Sequence, residues 1–295
     1  MERRTFLSLI AGTPAVAILA AACGSDSDGD DAAQDQPTLP APVATDAPPA
    51  TTAPGADSAD ADVLLEFGNY GGFTTANISF QMQPQVYVTT DNRVITPAAT
   101  VAIYPGPLVS PSTVRTITPA GVEALLAAAE DAGLFADVEY ERNDMVADAG
   151  TATLRINVDG TTYLHEAYAL GIGGGPDSTP EDPATAALAG FIEQLQDLPS
   201  LVGAAELGPE EMYEPTGYQI STMPAGDLAG YEIEPTVVEW PADTGVELAT
   251  LGECVEIDRD VIGDLFADAT ELTFFSEGES VYNVLARPAL PGRDC

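Results

Sequence analysis

One histidine, three cysteines and 47 acidic side chains are the groups in this chain that could do chemistry. His165 is the single imidazole, so a Ser-His-Asp arrangement would have to use it, and no G-x-S-x-G elbow is present. Zinc chemistry of the H-E-x-x-H kind needs a second histidine. Cys254 and Cys295 are an even pair and, outside the cytoplasm, are expected to form a disulfide. That bond would pin the C-terminus and contribute about 4 kcal/mol in the chain-entropy model. It would also remove both thiols as nucleophiles and as zinc ligands. Paired-carboxylate hydrolysis stays open, since so many acids make chance pairs easy, but one Trp is thin for a sugar cleft. "GIGGG" (171–175) lacks the Lys-Ser/Thr of a phosphate cradle and is read as a loop. "GNYGGF" (68–73) is read as a bulge or turn beside a strand. Neither Asp26-Ser27-Asp28-Gly29 nor Asp258-Arg259-Asp260 with Gly263 has the twelfth-position Glu of a calcium loop. No metal site and no cofactor is assigned.

The third cysteine, Cys23, has a different setting. Arg3 and Arg4 open the chain with positive charge, and residues 5–22 carry none. That run is about long enough to span a bilayer. Gly12 and Pro14 weaken it as a stable helix, and Ala20-Ala21-Ala22 supplies the small residues that a signal peptidase needs. Cleavage before Cys23 is therefore preferred over an uncleaved membrane helix. Arg3-Arg4-Thr5-Phe6-Leu7 is similar to a twin-arginine export signal, with Glu2 and Ser8 as departures. Leu19-Ala20-Ala21-Ala22-Cys23 resembles a bacterial lipobox. The resemblance implies a diacylglycerol on the Cys23 sulfur and a mature protein on the outer face of the membrane.

Residues 24–62 follow with nine Asp and six Pro and without Lys or Arg. Such a segment buries too little surface to offset the entropy of ordering. It is expected to be a disordered acidic linker reaching ~35 Å as a coil. The whole chain has a net charge of −38 and contains no Lys. A field of that sign repels nucleic acid and anionic headgroups and favours cations, basic proteins or simple solubility.

Residues 63–295 must position whatever chemistry there is. Short strands flank Asp91-Asn92 as a hairpin. A helix is predicted over 118–132, capped by Thr118 with Pro119 first in the helix and Gly133 ending it. Val122, Leu125, Leu126 and Ala129 form its apolar stripe. Asp159-Gly160 predicts a tight hairpin over 151–168, with Val158 opposite Thr161 and Leu154 opposite His165. That register puts His165 on the apolar face, as a core residue bonded to backbone or Tyr. It puts Arg155 and Glu166 on the other face as diagonal neighbours able to pair. A second helix is predicted over 183–196 with Leu188, Phe191, Ile192 and Leu195 inward. Further on, strands are expected at 218–222 and 237–240, and a short helix at 261–266 capped by Asp260. A last hairpin is expected around Glu277-Gly278. The order is not a regular βαβ alternation, so the fold class is α+β with mainly antiparallel sheet. Two subdomains are expected, over 63–200 and, rich in β-structure and closed by the disulfide, over 201–295.

"DAGTATLRINVDGTTYLHEAYALG" (148–171) and the ending "ARPALPGRDC" (286–295) resemble segments of an uncharacterised family of secreted lipoproteins of high-GC Gram-positive bacteria. Ala289 replaces a Leu of that pattern, and Gly292 and Arg293 stand where an acid is usual. The shared motifs are structural, so the resemblance implies envelope localisation and a closed C-terminus and carries over no catalytic residue. The expectation is a membrane-tethered extracytoplasmic protein with a binding or structural role in the cell envelope. The alternative is a carboxylate-dependent hydrolase acting on an envelope substrate. A solute-binding receptor would need two regular α/β lobes, which the pattern lacks.

Overall fold

The structure, a computed structural model, describes residues 62–142, 146–172, 182–251 and 254–295. Two sheets carry it. The first is ordered β6-β5-β1-β2-β3-β4-β7 and is antiparallel throughout. Its strands are β1 (Val63–Gly71), β2 (Val86–Thr89), β3 (Arg93–Pro97), β4 (Ser112–Thr116), β5 (Gly150–Val158), β6 (Thr161–Tyr168) and β7 (Glu211–Met212). The second is ordered β10-β8-β12-β11-β9, from β8 (Gly217–Pro224), β9 (Thr236–Glu239), β10 (Val255–Asp258), β11 (Thr273–Glu277) and β12 (Ser280–Pro288). Only the β9–β11 pair is parallel. The α+β, mainly antiparallel class is therefore what the chain adopts. Both sheets belong to one compact unit, and β7 brings the chain back to the first sheet before it enters the second.

Local chemistry explains the best-formed elements. Asp159 and Gly160 take φ of 50° and 74°, which a type I′ turn needs at both central positions, and the hairpin registers Val158 to Thr161 and Leu154 to His165. Helix α2 (Pro119–Asp131) starts where the Thr118 hydroxyl accepts from the Gly121 amide, and Gly133 follows its end with φ 74°. Helix α3 (Pro183–Gln196) is capped by Asp182, and its stripe of Leu188, Phe191, Ile192 and Leu195 is buried. Hydrogen bonds from Thr185 and Ala184 hold the half-buried Asp182 carboxyl below its usual ionisation range. With α4 (Leu198–Val202), these helices cover one face of the first sheet over Leu65, Phe67, Ala152, Leu154 and Ile156. A second core lies between the second sheet and α5 (Arg259–Asp268), built on Trp240, Ile262, Phe266 and Phe275.

Two local expectations need correction. Helix α5 begins at Arg259 after Asp258, so Asp260 lies in its first turn and is not its cap. Arg155 has its acid across a different strand pair: β5 also pairs with β1, which sets Glu66 directly opposite Arg155, 3.8 Å from Nη1 to Oε2. The hairpin sequence names one neighbour of β5 and says nothing of the other.

Candidate functional site

His165 is fully buried on the helix-covered face. Its Nε2 lies 2.9 Å from the Leu134 carbonyl oxygen, which can only accept, so Nε2 donates. Nδ1 then accepts from the Tyr140 hydroxyl at 2.8 Å. Both ring nitrogens are satisfied, one by a carbonyl and one by a phenol. The side chain joins the loop after α2 to the edge strand β6. Burial first, and the charge of Asp182 second, push the Tyr140 hydroxyl up to about 12.

Cys254 and Cys295 form a disulfide with Cα atoms 5.4 Å apart, tying residue 295 to the residue just before β10. Arg3, Arg4 and Cys23 lie outside the described residues, as do the linker and the last three residues of "GIGGG".

A buried charged cluster around Glu66 is one that sequence reading missed. In β1, Leu65 and Phe67 face the helices, so strand alternation turns Glu66 to the opposite face. There it is 7% exposed and stands in one row with Tyr87 of β2 and Arg155 of β5. The Tyr70 hydroxyl donates to Glu66 Oε1 at 2.9 Å, and Arg293 Nη1 lies 3.7 Å from the same oxygen. Burial chiefly, and the Glu66 charge next, raise the ionisation of Tyr70 and Tyr87 well above the usual range, so both phenols remain donors.

Arg293 comes from the segment after β12, which crosses this face. Three carbonyls of that tail accept from side chains of other elements. Tyr213 donates to Ala289 at 2.9 Å, Tyr87 to Pro291 at 2.6 Å and Gln219 to Arg293 at 2.7 Å. Arg287 donates to Gln219 at 2.9 Å and to the Phe80 carbonyl at 3.0 Å, with its guanidinium over the Phe80 ring. Burial lowers the ionisation of Arg287. The strand pattern of "LLEFGNY" contained the one usable signal, an acid at an otherwise apolar strand's centre. One of its partners, Arg293, comes from a tail more than two hundred positions away, and another, Arg155, from a strand paired beside it.

This network is closed, and the open concavities lie elsewhere. One, of about 440 Å³, is lined by Gly72, Arg142, Asp148 and Tyr168, with Arg142 stacked 4.5 Å over the Tyr168 ring. Another, of about 400 Å³, is lined by Glu239, Glu247 and Glu277 beside Trp240. Glu277 accepts from the amides of Leu248 and Ala249 at 3.1 and 3.2 Å, so both of its carboxyl oxygens are engaged by backbone. Trp240 is 5% exposed and donates to the Val246 carbonyl, so its ring packs in the core and offers no stacking platform. Among the described residues, no group of three or more His, Cys, Asp or Glu is placed to hold a metal ion. None of the described helices is long and apolar enough to cross a membrane. No family model, no curated protein and no solved structure matches the chain.

Proposed function

We propose that this chain is a lipid-anchored extracytoplasmic protein of the cell envelope with a binding role. The observation that carries the reading is the Cys254–Cys295 disulfide, which closes the C-terminal tail over the first sheet. Structural disulfides persist outside the reducing cytoplasm. The paired arginines, the uncharged run and the small residues ahead of Cys23 supply the matching route and anchor. The acidic, proline-rich linker between Cys23 and β1 would hold the folded part away from the bilayer. A binding role is preferred to hydrolysis because the lone histidine is consumed in the core and both carboxyl oxygens of Glu277 are engaged by backbone.

The test is fractionation and intact mass of the full chain expressed in a bacterium with a twin-arginine route. The expected product sits in the membrane fraction with a diacylglyceryl-modified Cys23 at its N-terminus. Cys23→Ala should leave it released or unprocessed. Membrane-bound protein of unchanged mature mass in Cys23→Ala would sink the assignment.

A further inference from the structure

The second sheet ends on β9, and no strand of the described residues lies beyond it. The amide of Thr236 donates to the carbonyl of Leu272, just before β11, and that of Trp240 to Ser276 on β11. Residues bonding one neighbour alternate along a strand, so Val237 and Glu239 turn their N–H and C=O groups to the open edge. Val237 is 47% exposed, and Tyr231 and Ile233 just upstream are each 43% exposed. Tyr231 packs edge-to-face on Phe274, the residue registered with Val237, so both flank the same buried ring. Glu232 and Glu234 alternate in sequence with these apolar side chains, and Glu239 follows on the same side of β9 as Val237; all three are exposed and without an ion pair among the described residues. At its far end the strip runs into the cleft lined by Glu239, Glu247 and Glu277.

We propose that residues 231–239 are a docking site for an extended cationic segment of another polypeptide, one in which Lys or Arg alternates with apolar residues. Its apolar side chains cover Tyr231, Ile233 and Val237, its cations meet Glu232, Glu234 and the acidic cleft, and its backbone adds to Val237 and Glu239. Pro235 has no amide to offer, so the backbone contact is short and the side chains set the specificity. Charge complementarity selects this occupant. The chain is strongly acidic overall, which steers cations toward it. A second copy laid on the same strip would set these glutamates against their own kind. The proposal deepens the binding role above and rests on it, and the peptide test fails independently of the membrane test.

The probe is a synthetic peptide of about eight alternating Arg and Val residues, a usual strand length, titrated into the full chain. The expected result is saturable binding that weakens about tenfold or more when salt is raised from about 0.05 to about 0.5 M. It should be lost when Glu replaces Arg in the peptide, and weakened when alternate peptide amides are methylated. Val237→Pro removes an outward amide and leaves the bonds to β11, and should weaken binding about tenfold. If that variant does not fold, Glu232→Lys with Glu234→Lys, both exposed, gives the same reading. No saturable binding, equal binding of the Glu peptide, or binding untouched by both variants would overturn the proposal. So would a dimer of the peptide-free chain that Val237→Pro dissolves, which would assign the edge to a second copy.

Discussion

On one face of the seven-stranded sheet, α2, α3 and α4 cover Leu65, Phe67, Leu154 and Ile156, and the one buried ionisable group of β6, His165, is hydrogen-bonded at both ring nitrogens. On the other face, a tail without regular structure covers Val63, Tyr87, Ile95 and Val114 with little more than Leu290. There the buried group is Glu66, met by two arginines and a tyrosine. A helix satisfies its own backbone and can present a broad apolar stripe. A tail cannot, so its carbonyls have to be bonded one by one, and Tyr213, Tyr87 and Gln219 do so. The first face is held by area and the second by polar groups and a covalent clamp.

The largest test of that contrast removes the clamp. Cys254→Ser with Cys295→Ser should lower stability by about 4 kcal/mol from loop entropy, read as a urea midpoint. Amide exchange should rise first around Tyr87 and residues 288–295 while Leu154 and Phe191 stay protected. Equal loss of protection on both faces would erase the distinction.

A smaller pair of variants compares the two buried polar groups. Glu66→Gln keeps an acceptor for Tyr70 but strands Arg155 and Arg293. Both arginines are partly exposed, so the cost is set at about 2 kcal/mol, below that of breaking a fully buried pair. His165→Gln loses one partner at about 1 kcal/mol. A larger cost at His165 than at Glu66, measured by the same urea unfolding, would reverse the ranking.

The smallest expected effect is an alkaline one. Tyr140 is raised from 10.0 to about 12 in the folded protein. The folded state therefore holds that proton more tightly, and its contribution is fully present below pH 10 and is lost as pH rises toward 12. Tyr70 and Tyr87 shift in the same direction. Phenolate absorbance should show these hydroxyls ionising late or together with unfolding. Glu66→Gln should bring Tyr70 and Tyr87 down and leave Tyr140 in place, since Glu66 is a cause of the shift only on the tail-covered face. Titration of all three near pH 10 in folded protein would remove the effect.

Much of this was legible locally. Asp159-Gly160 defines a turn through two positive φ angles, and a two-residue loop leaves the hairpin one register. Asp182-Pro183 and Thr118-Pro119 start helices because a short polar side chain caps free amides and proline lacks one. From the hairpin register alone, His165 lands on the apolar face. The short strands β4, β7 and β10 carried no such local signal, because their pairing and burial, not their composition, make them strands.

The sequence by itself determined the Asp159-Gly160 turn, the ends of α2 and α3, the inward stripe of α3 and the side of the β5–β6 hairpin on which each residue lies, because each depends on contacts within a few residues. Only the tertiary structure decided that β1 inserts between β5 and β2 and sets Glu66 opposite Arg155. It also decided that the tail crosses the second face and that β9 ends the second sheet among the described residues. Those outcomes depend on pairing between segments distant in sequence, where one side chain's partner is fixed by how whole sheets pack and not by anything its neighbours in the chain encode.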